Sequence, residues 1–218
     1  MFDLLVRILA AYLLGSINGA LLIGRFRGID IRTQGSGNAG GTNALRTQGW
    51  VFAAAVIVID VGKAVIAVHW IPITLFSTAL SPEWLAAACG FAVVLGHVYP
   101  VFHRFRGGKG VATVLGTLLA LSLPLLLGIL AVWLLMMFIF GFVGLSSMVA
   151  ASALPLLAQY AGARGVIAPE EVLPLTVFGI VCAVFVVWTH RSNIARMRAG
   201  TEPRAKTLWL LGRLTRKP

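Results

Sequence analysis

The chain is organised around the polar stretch RTQGSGNAGGTNALR, residues 32–46, which interrupts an otherwise apolar sequence. The stretch contains four glycines, side-chain amides and hydroxyls, and an arginine at each end. Glycines allow sharp turns, and successive N–H groups in such a turn form a concavity that binds anions. Arg32 and Arg46 add forked cationic donors suited to phosphate. The stretch therefore predicts a phosphate or carboxylate cradle between two membrane helices, with a glycine-rich linker as the alternative.

The composition predicts an integral membrane protein. Of the 218 residues, 59% are hydrophobic and 11% are charged, whereas a soluble domain is nearer half apolar and a quarter charged. Several apolar runs reach the roughly 18 residues that cross a bilayer. We predict an all-α, polytopic protein with a single domain over residues 1–218. The first apolar run lacks a small-residue cleavage pattern, so we interpret it as a retained span rather than a signal peptide.

The apolar runs predict about seven spans separated by polar segments. The run 111–145 is too long for one crossing, so we place a reversal at Pro124 and Gly128. Ser146 and Ser147 are predicted to interrupt the apolar sequence between residue 145 and the next span, which begins at residue 148. The predicted spans are residues 2–24, 50–70, 84–99, 111–126, 128–145, 148–162 and 172–189. The polar segments that we assign to the site are residues 25–49, 96–113, 146–147 and 189–204.

The distribution of basic residues predicts the orientation. With seven spans, 15 of the 18 lysines and arginines fall on one side, together with all four polar segments. Positive loops mark the cytoplasmic side, so we place the C-terminus in the cytoplasm and the N-terminus outside. Orientation and anionic headgroups then explain the net charge of +11, and no nucleic-acid partner is predicted. The basic run from Arg204 to Lys217 is interpreted as a lipid-facing tail.

Two ionisable residues lie inside the second predicted span. Asp60 and Lys63 are three residues apart and therefore share a helical face. Charged groups within a membrane rarely face lipid. They are either an internal ion pair that fixes the helix in the bundle or a pair of which one member reaches the site. Cys89 and Cys182 lie in apolar spans and are interpreted as buried small hydrophobes, with no disulfide framework or metal spacing.

The second polar segment, residues 96–113, joins glycine with positive charge in the run GHVYPVFHRFRGGKGVAT. It is not a Walker A loop, because Lys109 is followed by glycine rather than by serine or threonine. The segment predicts a second anion contact, with Lys109 as a point charge on a flexible stem.

The polar segments together are rich in hydrogen-bond donors and poor in acids. Asp30 and Glu202 are their only carboxylates, so no magnesium or zinc site is predicted, and no cofactor. His97 and His190 are the candidate bases, each weighed against a structural role at a helix end. This inventory predicts metal-free phosphate binding. It is compatible with acyl transfer, in which donors stabilise an oxyanion and a neutral histidine accepts the proton of the attacking hydroxyl.

Two common acyl-transfer signatures are absent from the sequence. There is no Gly-x-Ser-x-Gly elbow for covalent catalysis. No histidine is followed five residues later by aspartate, which excludes the dyad expected of coenzyme-A-dependent glycerolipid acyltransferases.

The polar segments contain a set of short motifs in a fixed order: GSGNAGGTN at 35–43, GHxxPxF at 96–102 with GGKGVAT at 107–113, Ser146-Ser147, and HRxNIxR at 190–196 with GTE at 200–202. With these motifs the sequence resembles the membrane acyl-phosphate:glycerol-3-phosphate acyltransferases, the PlsY family, over nearly the whole chain. An Asp-x-x-Lys-Gly pattern of the family also matches, with Ala64 in place of the usual glycine, and Ala39 replaces the usual proline of the first motif. Both departures affect backbone shape rather than a functional side chain.

The resemblance implies a reaction in which acyl phosphate donates its fatty acyl group to the 1-hydroxyl of glycerol 3-phosphate. The products are lysophosphatidic acid and inorganic phosphate, in the first acylation step of phospholipid biosynthesis. Neither coenzyme A nor acyl carrier protein is used directly. The implied location is the bacterial cytoplasmic membrane, with the active site on the cytoplasmic side. The implied partners are the two substrates and membrane lipids, and the oligomeric state stays open, with a monomer compatible.

The resemblance also implies roles for individual residues. His190, Ser36 and Asn193 are assigned to catalysis. Arg46 and Lys109 would hold glycerol 3-phosphate, with Ser146, Ser147, His190 and Asn193 completing the pocket and His97 as a further candidate. The donor phosphate would be cradled by Ser36, Gly37, Asn38, Gly40, Thr42 and Asn43.

A transporter for organic phosphates is the alternative function. Broken helices and a basic site would serve it too, but transporter sites lie near the bilayer midplane between repeated halves. Here the polar segments fall on one predicted side, and the halves show no repeat. A structural lipid-binding protein would need neither the histidines nor the paired glycine-rich segments.

Overall fold

A computed structural model of the chain describes residues 2–72, 80–205 and 208–211. Every regular element within these residues is a helix, which confirms the all-α prediction. The chain divides into two compact units, Met1–Leu121 and Ser122–Pro218, and each is described by itself. The single domain over 1–218 stays a prediction. Residues 206–207 and 212–218 of the predicted basic tail lie outside the described residues.

Helix α4 (Trp50–His69) is the centre of the first unit, because it packs against each of the other five helices there. Short 3-10 turns at Ile31–Thr33 and Val101–His103 lie within the two long polar segments. Phe52 and Val56 of α4 are buried in the core of the unit. The helices of this unit are α1 (Phe2–Gly15), α2 (Gly19–Phe26), α3 (Gly41–Gln48), α4 (Trp50–His69), α5 (Pro82–Val98) and α6 (Val111–Leu121).

The second unit is built on α8 (Val143–Ala163), which packs along both α7 (Leu123–Phe140) and α9 (Pro169–Thr189). Gly141 separates α7 from α8 in a left-handed conformation (φ 72°), which glycine adopts without steric cost. The short α10 begins directly after α9 and contacts both α8 and α9. The helices of this unit are α7 (Leu123–Phe140), α8 (Val143–Ala163), α9 (Pro169–Thr189) and α10 (Arg191–Arg198).

The described helices support five or six membrane spans rather than the predicted seven. Five segments are long and apolar enough to cross a bilayer, and α1 with α2 forms a sixth if this pair, bent by 48°, is one span. Helix α6 is apolar but has only 11 residues, about 16 Å at 1.5 Å per residue, which is half the hydrocarbon thickness. The placement of the termini stays a prediction.

Three predicted boundaries were wrong. The first span is not one helix over 2–24, because it unwinds at Ser16–Asn18. The fourth span ends at Leu121 rather than 126, since Ser122 is extended and Pro124 lies in the first turn of α7. Ser146 and Ser147 do not break a run, because they lie inside α8, and the chain reverses at Gly141 instead.

The break between α1 and α2 is held by a buried ion pair from α4. Lys63 Nζ donates to the carbonyl oxygens of Gly15 at 2.8 Å and Ile17 at 2.9 Å, where α1 ends. Asp60 Oδ1 accepts from the N–H of Gly19 at 3.0 Å, where α2 begins. The lysine is thus paired with the negative end of one helix dipole and the aspartate with the positive end of the next.

The same two side chains are 3.0 Å apart and almost fully buried. An unwound backbone in hydrocarbon leaves polar groups that cost several kcal/mol each, roughly, if unpaired. The Asp60–Lys63 pair satisfies three of these groups and compensates its own charge. Of the two interpretations of this pair, the geometry supports the internal ion pair that fixes the bundle.

Glycines let the helices of the first unit approach to backbone contact. A Cβ added at Gly96 of α5 would overlap the Tyr12 carbonyl oxygen of α1 and crowd the N–H of Ser16, which follows α1. A Cβ at Gly116 of α6 would overlap the Val61 carbonyl oxygen of α4. Gly62, in the same α4, has no atom within 4 Å of such a Cβ. Small residues at these crossings are typical of packed membrane helices.

Replacing Gly96 by alanine should destabilise the protein, whereas Gly62→Ala should not. Both changes add one methyl to a helix interior, where alanine is favoured over glycine by about 1 kcal/mol. At Gly96 the methyl would meet rigid backbone, so we expect a loss of about 1–3 kcal/mol from overpacking. Melting temperatures of the two variants in detergent check this. Equal melting temperatures would show that the α1–α5 contact is not tight.

Lys63→Met should cost about 3–5 kcal/mol, because it leaves a buried carboxylate and two carbonyl groups without their cation. The double variant Asp60→Asn with Lys63→Met removes both charges, and we expect it to recover part of that loss. Val58→Met, on an exposed position of the same helix, is the control. Thermal unfolding followed by size-exclusion recovery measures all three. A Lys63→Met protein as stable as the control would rule out the capping role.

Candidate active site

The glycine-rich stretch is part turn and part helix, and Asn43 organises it. Asn43 is 1% exposed. Its Nδ2 donates to the carbonyl oxygens of Ile31 at 3.2 Å and Gln34 at 3.0 Å, and its Oδ1 accepts from the N–H of Ser36 at 2.9 Å. Both amide hydrogens are therefore used by the loop itself. Asn43, predicted as a donor-phosphate contact, has the geometry of a residue that shapes the cradle.

Several backbone N–H groups of the loop are also used internally. The N–H of Gly37 donates to Gln34 at 3.0 Å, and that of Gly40 donates to Asn38 at 3.1 Å. Gly37 has φ 71°, a left-handed conformation that permits this turn. Helix α3 then begins at Gly41, and its N-cap Gly40 supplies no side-chain cap. The N–H groups of the first α3 turn have no partner within the helix. They are therefore the groups of this stretch that could bind an anion.

The polar side chains predicted on this stretch flank that helix start. Ser36 and Thr42 are exposed and Asn38 is half-buried. Arg46 is exposed and lies one turn after Thr42 on α3, so the two share a helical face. Hydroxyls, an amide and a guanidinium are therefore grouped near a positive helix end.

The two long polar segments of the first unit meet, as the sequence predicts for them. A Cβ built at Gly108 would overlap the His97 ring and crowd the carbonyl oxygen of Ala39, so only glycine fits between the segments. Asn18, in the α1–α2 break, donates its Nδ2 to the same Ala39 carbonyl at 3.1 Å. Ala39 is thus held by a hydrogen bond from the break. Lys109 follows Gly108 and is half-buried.

His97 is part of the ion-pair cluster. It is 2% exposed, and its Nδ1 lies 3.0 Å from Lys63 Nζ and 3.3 Å from Asp60 Oδ1. The other side of its ring lies against the Gly108 backbone. This geometry supports the structural role weighed for His97. The ring lies between the ion pair and the backbone of the second polar segment and so fixes one relative to the other.

Arg32 joins the two segments at their surface. Its Nη1 donates to the carbonyl oxygens of His103 and Arg106, both at 3.2 Å. Its Nη2 forms an ion pair with Asp30 Oδ2 at 2.7 Å. The hydrogen bonds and charge of Arg32 hold the pKa of the Asp30 carboxyl below its usual value. Asp30 is therefore ionised at neutral pH and compensates Arg32, which makes Arg32 a clamp rather than an uncompensated phosphate ligand.

A cavity of about 710 Å³ opens beside this clamp. Sequence reasoning did not single out Arg104 and Arg106, which line it together with Arg32. Arg104 and Arg106 lie two residues apart in one turn, and this spacing is the sequence signal that could have identified them as a pair of site residues. The remaining lining residues are Asp30, Thr33, Gly37 and Gly107.

In the second unit, Ser146 and Ser147 are buried within the first turns of α8. Ser146 Oγ donates to Phe142 O at 3.0 Å and Ser147 Oγ to Val143 O at 2.8 Å. Trp133 Nε1 donates to Ser147 Oγ at 3.3 Å. Each hydroxyl hydrogen is thus used within the unit, and each oxygen retains acceptor capacity.

His190 and Asn193 lie at the junction of α9 and α10. His190 is 3% exposed, and its Nδ1 lies 2.8 Å from the Val186 carbonyl oxygen. A carbonyl can only accept, so Nδ1 carries a hydrogen, and in the neutral ring the lone pair is on Nε2. The Asn193 N–H donates to the His190 carbonyl at 2.8 Å, which makes the junction a tight turn.

Glu202 organises this junction, a role that sequence reasoning missed. Its Oε1 accepts from Asn193 Nδ2 and its Oε2 from Arg196 Nε, each at 2.6 Å. The Glu202 side chain is 6% exposed. Gly144 of α8 lies against the Asn193 side chain, where a Cβ would collide with it. The sequence did contain a signal for this role. Acids are scarce in the polar segments, so a carboxylate among many basic donors was a candidate for a structural partner.

Known proteins that are similar to this chain share one description. A family model described as "Glycerol-3-phosphate acyltransferase" matches residues 5–200. A glycerol-3-phosphate acyltransferase of Gloeobacter violaceus is 41% identical over 196 residues, covering 89% of this chain and 91% of the relative. One of Geotalea daltonii is 40% identical over 198 residues, covering 91% and 95%.

The fold is also similar to solved structures. The crystal structure of PlsY (YgiH), an integral membrane glycerol 3-phosphate acyltransferase, in its glycerol 3-phosphate form, is similar with a TM-score of 0.76 and 33% identity over 98% of this chain and 99% of that one. Its lysophosphatidic acid form gives a TM-score of 0.75 and 34% identity over 95% and 98%. From its sequence, its membrane helices and these relatives, this chain belongs to the glycerol-3-phosphate acyltransferase family of integral membrane enzymes.

Proposed function

We propose that the enzyme uses acyl phosphate as its donor and acylates the 1-hydroxyl of glycerol 3-phosphate. The observation that carries the proposal is the uncapped N-terminus of α3, with the exposed hydroxyls of Ser36 and Thr42 on the same stretch. Such a helix end binds a phosphate group. The similar PlsY was described in a glycerol 3-phosphate form and a lysophosphatidic acid form, which supports this substrate and product.

The donor phosphate would lie at the start of α3. Ser36, Asn38 and Thr42 supply side-chain donors, and Gly37 and Gly40 keep the backbone close to the ligand. Asn43 holds the loop in shape through its three hydrogen bonds. The N–H groups of the first turn add the positive end of the helix dipole. Phosphate is then bound as a leaving group without a metal ion.

The reaction is a nucleophilic acyl substitution. The 1-hydroxyl oxygen of glycerol 3-phosphate attacks the acyl carbonyl carbon and forms a tetrahedral oxyanion. The bond from that carbon to the phosphate oxygen then breaks, and the hydroxyl proton passes to the departing phosphate. Acyl phosphate is already activated, so the enzyme needs chiefly to orient both substrates and to stabilise the developing charge.

The acceptor would be held by cations close to the donor site. Arg46 is exposed one helical turn after Thr42, and Lys109 follows Gly108, which touches Ala39 of the first stretch. A guanidinium binds phosphate in a forked geometry, and an ammonium adds a point charge. Arg46 and Lys109 are therefore proposed to bind the phosphate of glycerol 3-phosphate.

The second unit is proposed to contribute His190, Asn193, Ser146 and Ser147. His190 has its Nδ1 hydrogen on Val186 O, so its neutral Nε2 is an acceptor for a hydroxyl. Glu202 fixes the Asn193 amide, and both serine oxygens keep acceptor capacity. These groups suit the hydroxyls of glycerol 3-phosphate. His97 is proposed to position the second polar segment rather than to touch substrate.

The cytoplasmic side of the bacterial inner membrane is proposed for the active site. The support comes from the first unit, where the two long polar segments are separated by two spans, meet each other and contain seven basic residues, whereas the connection between α4 and α5 contains none. A single domain that acts on its two substrates within membrane lipids completes the proposal. The family assignment favours the acyltransferase over the organic-phosphate transporter.

Purified protein should release inorganic phosphate from palmitoyl phosphate only when glycerol 3-phosphate is present, with lysophosphatidic acid formed in equal amount. Ser36→Ala and His190→Ala should each lower turnover roughly ten- to hundredfold, because each removes a donor or acceptor at the reacting groups. Phosphate release and lipid extraction measure this. Absence of release, or equal release without the acceptor, would refute the donor. Full turnover in both variants would refute the site.

Arg46→Gln and Lys109→Gln should raise the KM for glycerol 3-phosphate by roughly tenfold to hundredfold, since a hydrogen bond to a charged group contributes about 1.5–3 kcal/mol. The KM for acyl phosphate should change much less. Arg198→Gln is the matched control, because Arg198 is exposed in α10 and has no proposed role. Steady-state kinetics with each substrate varied in turn distinguish these cases. An unchanged KM for glycerol 3-phosphate in both variants would contradict the assignment.

A further inference from the structure

The turn after α5 presents aromatic and basic side chains together. The membrane-crossing segment Pro82–His103 ends in this turn, which therefore lies at the membrane edge. Phe102 is 61% exposed and Phe105 is 57% exposed. Arg104 and Arg106 are exposed between and beside them. Exposed aromatic rings next to arginines are typical of side chains at a lipid–water interface.

The backbone of this turn is held in an unusual conformation. Arg104 and Phe105 are consecutive non-glycine residues with φ 57° and 58°, which is rare for side chains of this size. The N–H of Phe105 donates to the Pro100 carbonyl at 3.0 Å. Arg32 adds its two hydrogen bonds to the carbonyls of His103 and Arg106. Backbone strain that the surroundings maintain often marks a binding turn.

The cavity beside the turn has an excess of positive charge. Three arginines and one aspartate line it, which leaves a formal charge of +2. Arg32 is compensated by its ion pair with Asp30. Within the described residues, Arg104 and Arg106 form no ion pair with an acid. The excess therefore belongs to these two side chains, which are on the aromatic turn itself.

We propose that this cavity binds the phosphate headgroup of an anionic phospholipid, whose acyl chain lies along Phe102 and Phe105. Arg104 and Arg106 supply the charge that such a headgroup requires, and the rings supply apolar surface at the end of a membrane span. The lipid is a bound ligand and not a substrate. The donor and acceptor residues proposed above are absent from the cavity, apart from the backbone of Gly37.

The site is next to the machinery of the enzyme. Gly37 and Gly107 belong to the two glycine-containing segments, and both line the cavity. Arg32 connects those segments at the same place. A lipid headgroup here would hold the two segments together from the membrane side, so that anionic lipid supports the arrangement of the loops.

The experiment measures lipid binding directly. The purified full chain is mixed with micelles that contain equal amounts of phosphatidylglycerol and phosphatidylcholine, and the retained lipids are counted by native mass spectrometry. Wild-type protein should retain phosphatidylglycerol preferentially. Arg104→Gln with Arg106→Gln should weaken that binding by roughly 30-fold, the effect of two interfacial charges.

Arg164→Gln with Arg198→Gln is the matched control, because it removes the same charge from two exposed positions elsewhere. Retention in this control should equal that of wild type. An equal loss in both double variants, or no preference in wild type, would overturn the proposal. A different outcome is that millimolar inorganic phosphate displaces phosphatidylglycerol while replacement of Phe105 leaves lipid retention unchanged. That pair of results would show a site for free phosphate and would also overturn the proposal.

Phe105→Gly keeps the test valid if the arginine variant does not fold. Glycine adopts φ 58° without steric cost, so this variant should melt no lower than wild type. It removes the ring that is proposed to lie along the acyl chain, and we expect severalfold weaker retention of phosphatidylglycerol. Unchanged retention in a folded Phe105→Gly protein would show that the turn has no lipid contact.

Discussion

The first unit depends on one buried ion pair that replaces the missing backbone hydrogen bonds of a broken helix. Lys63 Nζ bonds the carbonyls at the end of α1, and Asp60 Oδ1 bonds the N–H at the start of α2. The two charges lie 3.0 Å apart, so each compensates the other. A break is tolerated in a membrane helix only where its polar groups find partners. Helix α4 supplies these partners. Because it also packs on every other helix of the unit, the position of the break is fixed relative to all of them.

The break in turn sets the positions of the two glycine-containing segments. Asn18, within it, holds the Ala39 carbonyl, while His97 lies between the ion pair and the Gly108 backbone. Gly108 fits only because it has no side chain. The glycine-rich stretch is therefore not a loose linker. Its inner face is fixed by buried hydrogen bonds and its outer face by the Arg32 clamp, so the exposed side chains at the start of α3 are held in place.

Much of this site was predictable because its chemistry depends on residue type. Glycine-rich stretches with basic residues and few acids indicate anion binding wherever they occur, and the two segments of the first unit do meet. The roles within the segments were not predictable. Asn43 and Glu202 use their polar atoms on the protein itself, and Arg32 is compensated by Asp30 two residues away. Only the positions of the neighbouring backbone and side-chain groups distinguish such residues from ligand contacts.

The sequence by itself determined that the protein is all-helical and lies in a membrane, and its motifs indicated the family, because hydropathy and residue chemistry are local properties. Tertiary structure decided the number of helices long enough to span, the unwinding at Ser16–Asn18, and the enclosure of Ser146 and Ser147 within α8. It also decided that Asp60 and Lys63 form an internal pair, although their spacing was compatible with a site role. The physical reason is that the break and the ion pair depend on which distant backbone groups need a hydrogen-bond partner, and sequence spacing does not contain that information.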